Sequence, residues 1–356
     1  MGLEEEIKAV EKEIRETPYN KASQHHIGKL KAKLSKLKTQ LSKSEKEGQP
    51  QGVGYGIRKE GDATVVICGL PSVGKSTLLN QLTNAESKVA GYEFTTLKVI
   101  PGALKYKGAE LQILDVPGLV KGASSGKGRG KEVLSVIRIA DLILLMADAE
   151  KPEQLEVMKN ELEEGGLRLN KKPPDIKVDK KSTGGIHIIK GNEVKITEDE
   201  IKGILSEFNI HNADVLVRGK VDTDKFIDAV EGNRKYVPCI SVVNKIDLNK
   251  PKVKGAVYIS AKEGTGIKKL KEKMFGKLNL MRIYMKERGK EPDFEEPLII
   301  EKGSTVEDVC RNIHRAFKKK FRYAVISGPS SAHENQRVGL KHKLKDEDVL
   351  TLVLKE

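Results

Sequence analysis

The sequence predicts an α/β fold: a mostly parallel, doubly wound sheet with three smaller modules attached. Short apolar runs rich in β-branched residues, such as 64–68 and 111–115, alternate with helical patterns along the middle of the chain. Strands that alternate with helices favour a parallel sheet, because each helix carries the chain back to the same end of the sheet. Both runs also lead directly into glycine-containing turns.

The first of these turns has the pattern of a phosphate-binding loop, G-x-x-x-x-G-K-[ST]. In such a loop backbone N–H groups surround the α- and β-phosphates, the lysine reaches the β- and γ-phosphates, and the hydroxyl binds Mg²⁺. A strand before the loop and a helix after it supply the context that the motif requires. We expect Lys75 to be a catalytic residue and Ser76 to be a Mg²⁺ ligand. The residues expected to contact the phosphates are Gly69, Pro71, Ser72, Val73, Gly74, Lys75, Ser76 and Thr77.

The second turn supplies the acid that a nucleoside triphosphatase needs near its metal. Asp115 ends the run 111–115 and is followed by Val-Pro-Gly. We expect Asp115 to hold Mg²⁺ through water and the N–H of Gly118 to donate to the γ-phosphate, so both are catalytic candidates. A strand that ends in a Pro-Gly turn has the same pattern without any ligand. The order of loop and aspartate along the chain favours the functional interpretation.

Two adjacent hydroxyl residues, Thr95 and Thr96, stand between the loop and the aspartate, directly after Phe94. We expect this segment to close over the nucleotide and Mg²⁺ when a triphosphate is bound, and we favour Thr96 as the metal ligand and a catalytic residue. β-Branched residues prefer an extended backbone, so the pair is equally typical of an ordinary strand.

A later strand, predicted at 236–243, would deliver Asn244, Lys245 and Asp247 to the carboxyl edge of the sheet, where α/β proteins bind ligands. The Asp247 carboxylate can accept from guanine N1–H and the 2-amino group, and adenine offers neither donor. A strand and loop at 257–262 would place the N–H of Ala261 at the guanine oxygen. These motifs together predict a GTPase that uses GTP, GDP and Mg²⁺.

Composition sets limits on the class of protein. The chain has 356 residues, enough for two or three domains, and no run of about 18 uncharged apolar residues that would span a bilayer. Because of the glutamates at positions 4–6, we do not expect a signal peptide here. Cys68, Cys239 and Cys310 are scattered through apolar segments and are typical of buried, reduced thiols, so we expect a cytoplasmic protein without membrane contact.

A formal net charge of +14 and a pI of about 9.3 predict a polyanionic partner, for which RNA is the natural candidate. Surface ion-pair networks of a thermophile are the alternative explanation. Helical patterns predict an N-terminal hairpin over 1–47, whose second helix has six nearby lysines and no acid between positions 21 and 44. We favour an anion-binding arm over a solvated face. A glycine-rich joint follows at 48–61.

The remaining boundaries follow from changes of pattern. The GTPase domain takes 62–164 and 236–290, and an inserted α+β subdomain takes 165–235, because about 70 residues are too many for a loop. A β-grasp unit takes 291–356. Five cations crowd the end of its helix: Arg315, Lys318, Lys319, Lys320 and Arg322. The helix dipole favours cations at this end, but five are more than the dipole accounts for, which favours a surface that binds nucleic acid.

The segment after Asp115 is dense in glycine and cations and predicts a switch whose order depends on the γ-phosphate. Many GTPases place a water-orienting glutamine directly after the glycine, whereas Leu119 stands here. Leucine cannot polarise water, so we predict slow intrinsic turnover. Hydrolysis would then depend on backbone groups, on a monovalent cation, on Lys127 or Arg129, or on a group from a partner.

The runs 69–77, 92–97 and 115–123 resemble those of the Obg-type GTPases. The whole layout, with a C-terminal unit similar to the TGS domain, resembles the developmentally regulated GTP-binding proteins, including archaeal members. The resemblance implies a cytoplasmic GTPase linked to ribosomes and translation, a small stabilising partner protein, and an insertion similar to a ribosomal-protein domain. It also implies Mg²⁺ ligation by Ser76 and Thr96 and guanine contacts from Asn244, Lys245, Asp247, Ser260, Ala261 and Lys262.

Potassium activation is left open by the sequence. GTPases that have a hydrophobic residue in place of the glutamine, as at Leu119, can depend on potassium, but they often have asparagine where Ser72 stands. Two functions follow from these patterns. One is a molecular switch, favoured as a monomer, that docks on ribosomal RNA or a translation factor through its basic modules. The other is a GTP-regulated assembly or scaffold protein that binds a protein. An adenine-nucleotide enzyme is a third and more distant reading.

Overall fold

The computed structural model describes residues 2–18, 20, 23–44, 59–83, 99–116, 130–287 and 289–355. The helices are α1 Leu3–Glu16, α2 Gln24–Ser44, α3 Lys75–Thr83, α4 Gly130–Ile137, α5 Gln154–Glu164, α6 Glu198–Glu207, α7 Thr223–Glu231, α8 Ile267–Lys277, α9 Val306–Ile313 and α10 Arg315–Lys320. The strands are β1 Ala63–Gly69, β2 Ile100–Tyr106, β3 Ala109–Asp115, β4 Leu142–Asp148, β5 Leu167–Leu169, β6 Asp175–Lys180, β7 Ile186–Lys190, β8 Ala213–Arg218, β9 Lys235–Val237, β10 Cys239–Asn244, β11 Val257–Tyr258, β12 Leu280–Met285, β13 Leu298–Glu301, β14 Phe321–Ser327, β15 Gln336–Val338 and β16 Asp348–Leu354.

A six-stranded sheet in the order β11-β10-β4-β1-β3-β2 carries the phosphate loop. All neighbouring strands are parallel except β2 and β3, which are antiparallel. Every residue of β1 is buried, and so is β4 except for its last residue, as expected for central strands whose sheet is covered on both faces. The predicted mostly parallel, doubly wound sheet is confirmed.

Proline divides the strand that we predicted at 236–243. Pro238 separates β9, which pairs with β5, from β10, which joins the central sheet beside β4. Proline has no N–H to donate to a ladder, but its carbonyl still accepts from the N–H of Ile143 at 3.0 Å. The strand and loop predicted at 257–262 are present: β11 has two residues, and the chain then turns.

A second sheet, in the order β13-β12-β16-β14-β15, forms the C-terminal module together with α9 and α10. Because β12 pairs with β13 and β16, this module begins at Leu280, ahead of the boundary predicted at 291. The helical segment of this module is divided into α9 and α10, since His314 between them has an extended backbone with φ −165° and ψ 137°.

The N-terminal hairpin and the insertion form one compact unit, Met1–Gly54 with Gly166–Tyr236, although the sequence suggested separate modules. Ala32 of α2 is fully buried in the same apolar cluster as Ile204 of α6 and Phe226 of α7. α1 packs on α2 through a smaller cluster that includes Val10 and Leu37. The rest of the chain, Tyr55–Gly165 with Val237–Glu356, is the second unit.

Lysines of α2 are matched by acceptors from their own unit. The nitrogen–oxygen distances are 2.9 Å for Lys31–Asp224, 3.0 Å for Lys33–Glu6, 2.8 Å for Lys38–Glu11 and 2.8 Å for Lys36 to the Glu207 carbonyl. The absence of acids from the α2 sequence therefore does not leave these four ammonium groups without partners, because α1, α6 and α7 supply them.

All three cysteines are buried, as predicted. Burial raises the pKa of the Cys239 thiol to about 12, which keeps it protonated at neutral pH. Within the described residues, no helix combines the length and apolarity needed to cross a bilayer.

Candidate nucleotide-binding site

The phosphate loop connects the end of β1 at Gly69 to the start of α3 at Lys75. Ser72 and Gly74 both have a positive φ, 64° and 91°, which turns the chain sharply before the helix. A Cβ at Gly74 would lie 2.5 Å from the Asn244 side-chain nitrogen, and one at Gly69 would lie 2.7 Å from the carbonyl oxygen of Met146. Both glycines are therefore required by close approach to the neighbouring strands.

Lys75 lies over the loop that precedes it. Its Nζ donates to the carbonyl oxygens of Gly69 and Leu70, both at 3.1 Å. Burial lowers the pKa of the Lys75 ammonium, and the nearby Asp115 carboxylate acts in the opposite direction. The loop thus holds a half-buried cation in the turn, where a phosphate oxygen could replace the carbonyl acceptors.

Ser76 and Asp115 meet at the base of the loop. Ser76 Oγ donates to Asp115 Oδ2 at 2.7 Å, and the Asp115 side chain is only 5% exposed. Asp115 Oδ1 is buried and has no hydrogen-bond partner among the described residues. A buried carboxylate oxygen of this kind needs a donor or a cation. The pair fits Mg²⁺, which proteins bind with few side chains plus phosphate oxygens and water.

No group of three or more His, Cys, Asp or Glu side chains in the described segments could hold a metal ion. A metal at this site would therefore depend on the nucleotide for part of its coordination, as Mg²⁺ does in phosphoryl-transfer enzymes.

Asn244 joins the phosphate loop to the loop after β11. Its Nδ2 donates to the carbonyl oxygen of Val73 at 2.8 Å, and its Oδ1 accepts from the N–H of Ala261 at 2.9 Å. Asn244 is 3% exposed, and Val73 and Ala261 are buried as well. The two side-chain polar atoms of Asn244, the Val73 carbonyl and the Ala261 N–H therefore depend on these two bonds. One side chain thereby fixes the distance between the phosphate and base ends of the site.

The contact of the Ala261 N–H with the guanine oxygen stays a prediction. In the structure this N–H donates to Asn244 Oδ1, because a buried N–H needs an acceptor and the Asn244 amide supplies it. A bound base would have to share or replace this bond.

Lys245 has a positive φ of 64° and bonds Asp148 at the end of β4, with Nζ to Oδ2 at 2.5 Å. Burial alone would raise the pKa of Asp148, but the hydrogen bond from Lys245, together with the Glu150 N–H, holds it below the ordinary value. Sequence reasoning missed Asp148. Its signal was present, since β4 and β10 end in Asp148 and Asn244, which pair in register.

Asp247 is the exposed carboxylate of the base end. A hydrogen bond with Ser260 lowers the pKa of Asp247, so its carboxylate is ionised at neutral pH and available as an acceptor. Ser260 is fully buried, and its N–H donates to the Thr265 carbonyl at 3.0 Å, which fixes the loop that also carries Lys262.

The structure thus brings the predicted phosphate residues 69–77, Asp115 and the base residues 244–247 and 260–262 to one edge of the central sheet. Several predicted residues lie outside the described residues, and their roles stay predictions: Phe94, Thr95, Thr96, Gly118, Leu119, Lys127 and Arg129.

Comparison with known proteins finds three family models that match most of the chain. A family model described as a 50S ribosome-binding GTPase matches residues 64–181, the model of the C-terminal region of that domain matches 183–280, and the TGS domain matches 281–354. Among solved structures, the Schizosaccharomyces pombe YchF GTPase has 15% identity and a TM-score of 0.45 over 83% of this chain and 99% of that one.

Relatives extend over the whole chain. An uncharacterised GTP-binding protein of Methanocaldococcus jannaschii is 51% identical over 100% of this chain and 94% of its own. GTP-binding protein 1 of Schizosaccharomyces pombe and the developmentally regulated GTP-binding protein 2 homologue of Dictyostelium discoideum are each 44% identical, over 100% of both chains. The chain therefore belongs to the developmentally regulated GTP-binding proteins, and it is a GTP-binding P-loop GTPase with a C-terminal TGS domain.

Proposed function

We propose that this protein is a Mg²⁺-dependent molecular switch that hydrolyses GTP slowly and acts on the ribosome or in translation through contacts with RNA. The observation that carries the metal part of the proposal is the buried Asp115 Oδ1, which lies beside Ser76 Oγ and has no hydrogen-bond partner in the part of the chain that the structure describes. Thr96 would complete the protein's share of the coordination in the GTP-bound state. We place the protein in the cytoplasm, as a monomer with a small stabilising partner.

Slow turnover follows from the leucine that replaces a water-orienting glutamine. With Leu119 in that place, the attacking water lacks a polar side chain, so the rate depends on a partner or on a monovalent cation. Single-turnover hydrolysis by the purified protein, measured in sodium and in potassium, tests both points. A rate of several turnovers per second without a partner would contradict the role of Leu119, and equal rates in the two salts would exclude potassium activation.

The RNA part of the proposal is supported by charge. The net charge of +14 exceeds what a bound nucleotide with Mg²⁺ would balance, and one family model that matches the chain is described as ribosome-binding. Since four lysines of α2 are matched within their own unit, we assign the principal RNA contact to the C-terminal module. There Lys319, Lys320 and Arg322 are exposed.

Co-sedimentation with ribosomes distinguishes this function from its alternative. We expect the protein to sediment with ribosomes more strongly with a non-hydrolysable GTP analogue than with GDP, and to be released steeply as salt rises, because phosphate contacts release counterions. Binding that is independent of both nucleotide and salt would instead favour a GTP-regulated assembly protein that docks on an apolar protein surface.

A further inference from the structure

Asp148 is a charged residue at the edge of the nucleotide site that belongs to none of the sequence motifs. It ends β4, the strand between β1, which leads into the phosphate loop, and β10, which leads into the base residues 244–247. Asp148 and Asn244 pair in register at the ends of β4 and β10, and the Ala149 N–H donates to the Asn244 carbonyl at 2.9 Å. Asp148 therefore stands at the carboxyl edge of the sheet, next to the residue that connects the phosphate and base ends of the site.

Both oxygens of the Asp148 carboxylate have partners. Oδ2 accepts from Lys245 Nζ at 2.5 Å, and Oδ1 accepts from the N–H of Glu150 at 3.1 Å. The Asp148 side chain is only 16% exposed, and a carboxylate that has lost this much hydration needs such partners. Asp148 is thus held in one orientation, and it holds the Lys245 ammonium at a fixed place.

The backbone of Lys245 is fixed as well. Its φ of 64° is left-handed, which a residue with a side chain adopts only where the surrounding structure imposes it. The Ile246 N–H donates to the Ile259 carbonyl at 3.3 Å, and the Leu248 N–H donates to the Lys245 carbonyl at 3.0 Å. With the backbone fixed at one end and the ammonium bound at the other, the four-carbon stem has few conformations left. The Lys245 side chain is still 35% exposed, so the stem is accessible to a nucleotide.

Without Asp148, the Lys245 ammonium would have a competing partner in Asp247. Asp247 is exposed, and it is the carboxylate that we expect to accept from guanine. The hydrogen bond with Ser260 is the main cause that lowers the pKa of Asp247, and the charges of Lys262 and Lys245 add to it, so Lys245 lies within electrostatic reach. An ion pair between Lys245 and Asp247 would occupy the acceptor that the base needs. The bond to Asp148 keeps the ammonium away from that acceptor.

We propose that Asp148 is a positioning residue for guanine nucleotides and acts through Lys245. It extends the lysine stem for contact with the base and leaves Asp247 free to accept from that base. A side chain that is ordered before the ligand arrives costs less to fix on binding, so Asp148 raises the affinity without touching the nucleotide. The proposal rests on the GTP-directed part of the proposed function, through the guanine contacts expected of Lys245 and Asp247.

A double-mutant cycle in the full-length protein tests this proposal, with titration of a fluorescent GDP analogue as the measurement. Asp148→Asn removes the charge but keeps an acceptor for the Glu150 N–H, and it should weaken GDP binding about fivefold, because a long side chain must then be ordered on binding. Lys245→Met keeps a stem without the ammonium and should also weaken binding about fivefold. The double variant should bind within about twofold of the weaker single variant, because Asp148 acts through Lys245. In Asp148→Asn the single-turnover rate at saturating GTP should change less than about twofold, since the loss is in binding.

The matched control is Glu156→Gln, which removes the carboxylate of another lysine pair in the same unit, Lys159–Glu156 at 2.6 Å, and should bind GDP as wild type. If the two single losses multiplied in the double variant, Asp148 would act independently of Lys245 and the proposal would be overturned. Unchanged affinity in Asp148→Asn alone would overturn the positioning role and keep the Lys245 contact, whereas unchanged affinity in both single variants would overturn both. A wild type that did not bind the GDP analogue would overturn the function on which the proposal rests. If Asp148→Asn does not fold at the assay temperature, Asp148→Ser, which is also uncharged, takes its place in the cycle.

Discussion

Replacement of Asn244 by alanine gives the sharpest test of how this site is held together. In the structure one buried side chain connects the carbonyl of Val73 in the phosphate loop with the N–H of Ala261 in the base loop. Alanine would leave both backbone groups without partners, because neither has another hydrogen bond within the described segments. We therefore expect a loss at both ends of the nucleotide, although the change itself is at one position.

The size of the effect follows from the two lost bonds. Leaving a buried polar group unpaired costs about 1–3 kcal/mol, so the two groups together cost about 2–6 kcal/mol. Nucleotide binding requires both loops to hold their places, and about 3 kcal/mol corresponds to roughly a hundredfold loss of affinity. Asn244→Asp keeps an acceptor for the Ala261 N–H. It replaces the donor Nδ2, which lies 2.8 Å from the Val73 carbonyl oxygen, by a carboxylate oxygen that repels that carbonyl. We expect this variant to lose affinity too.

Titration of a fluorescent GDP analogue, with thermal melting in parallel, measures the effect. Asn249→Ala is the matched control, because the Asn249 side chain is exposed and accepts only from the adjacent N–H of Lys250 among the residues that the structure describes. The reasoning would be refuted if Asn244→Ala bound GDP within about threefold of wild type and melted at the same temperature.

Three further predictions concern charge. Asp115→Asn should weaken GTP binding in Mg²⁺ about tenfold or more but leave metal-free GDP binding unchanged; an equal loss in chelator would contradict the metal role. Asp247→Asn should weaken the binding of GTP far more than that of xanthosine triphosphate, as measured by competition. If the substitution changed neither affinity, Asp247 would not read guanine, and the adenine-nucleotide alternative would be favoured. Burial alone would raise the pKa of Asp346, but the hydrogen bonds from Arg282 outweigh burial and hold this pKa below its ordinary value. The stabilisation from Asp346 is thus fully present above about pH 4 and is lost as the pH falls through the lowered pKa. By urea unfolding, Asp346→Asn should cost about 1 kcal/mol at pH 7 and progressively less as the pH falls below 4.

The sequence could predict the phosphate end of the site because its determinants are local. A buried strand, a glycine turn and a helix follow one another within 69–77, so each residue's place depends on close neighbours in the chain. The parallel sheet was predictable for the same reason: every residue of β1 is buried, and its run of β-branched side chains shows it.

The sequence could not show partners that distant segments supply. Nothing near Ala261 in sequence indicates that Asn244 offers an acceptor to its N–H, and the contact of Ala261 with guanine stays a prediction. Nor does the α2 sequence show that its lysines pair with carboxylates of α1 and α7, the latter about 190 residues later. Pro238 was the exception: its missing N–H was visible in the sequence and should have ended the predicted strand.

The base end of the site and the C-terminal sheet are joined by a short, continuous path. The loop 260–262 leads into α8, whose eleven residues end just before β12, the strand that begins that sheet. Leu280 of β12 is buried in the core cluster of the central sheet, and Ile299 of β13 packs against the same cluster. The two modules therefore share a core. Since packed cores do not deform gradually, a nucleotide-dependent change at Ser260 would reach the C-terminal sheet as a displacement of α8 with β12, and not as independent motion of the module.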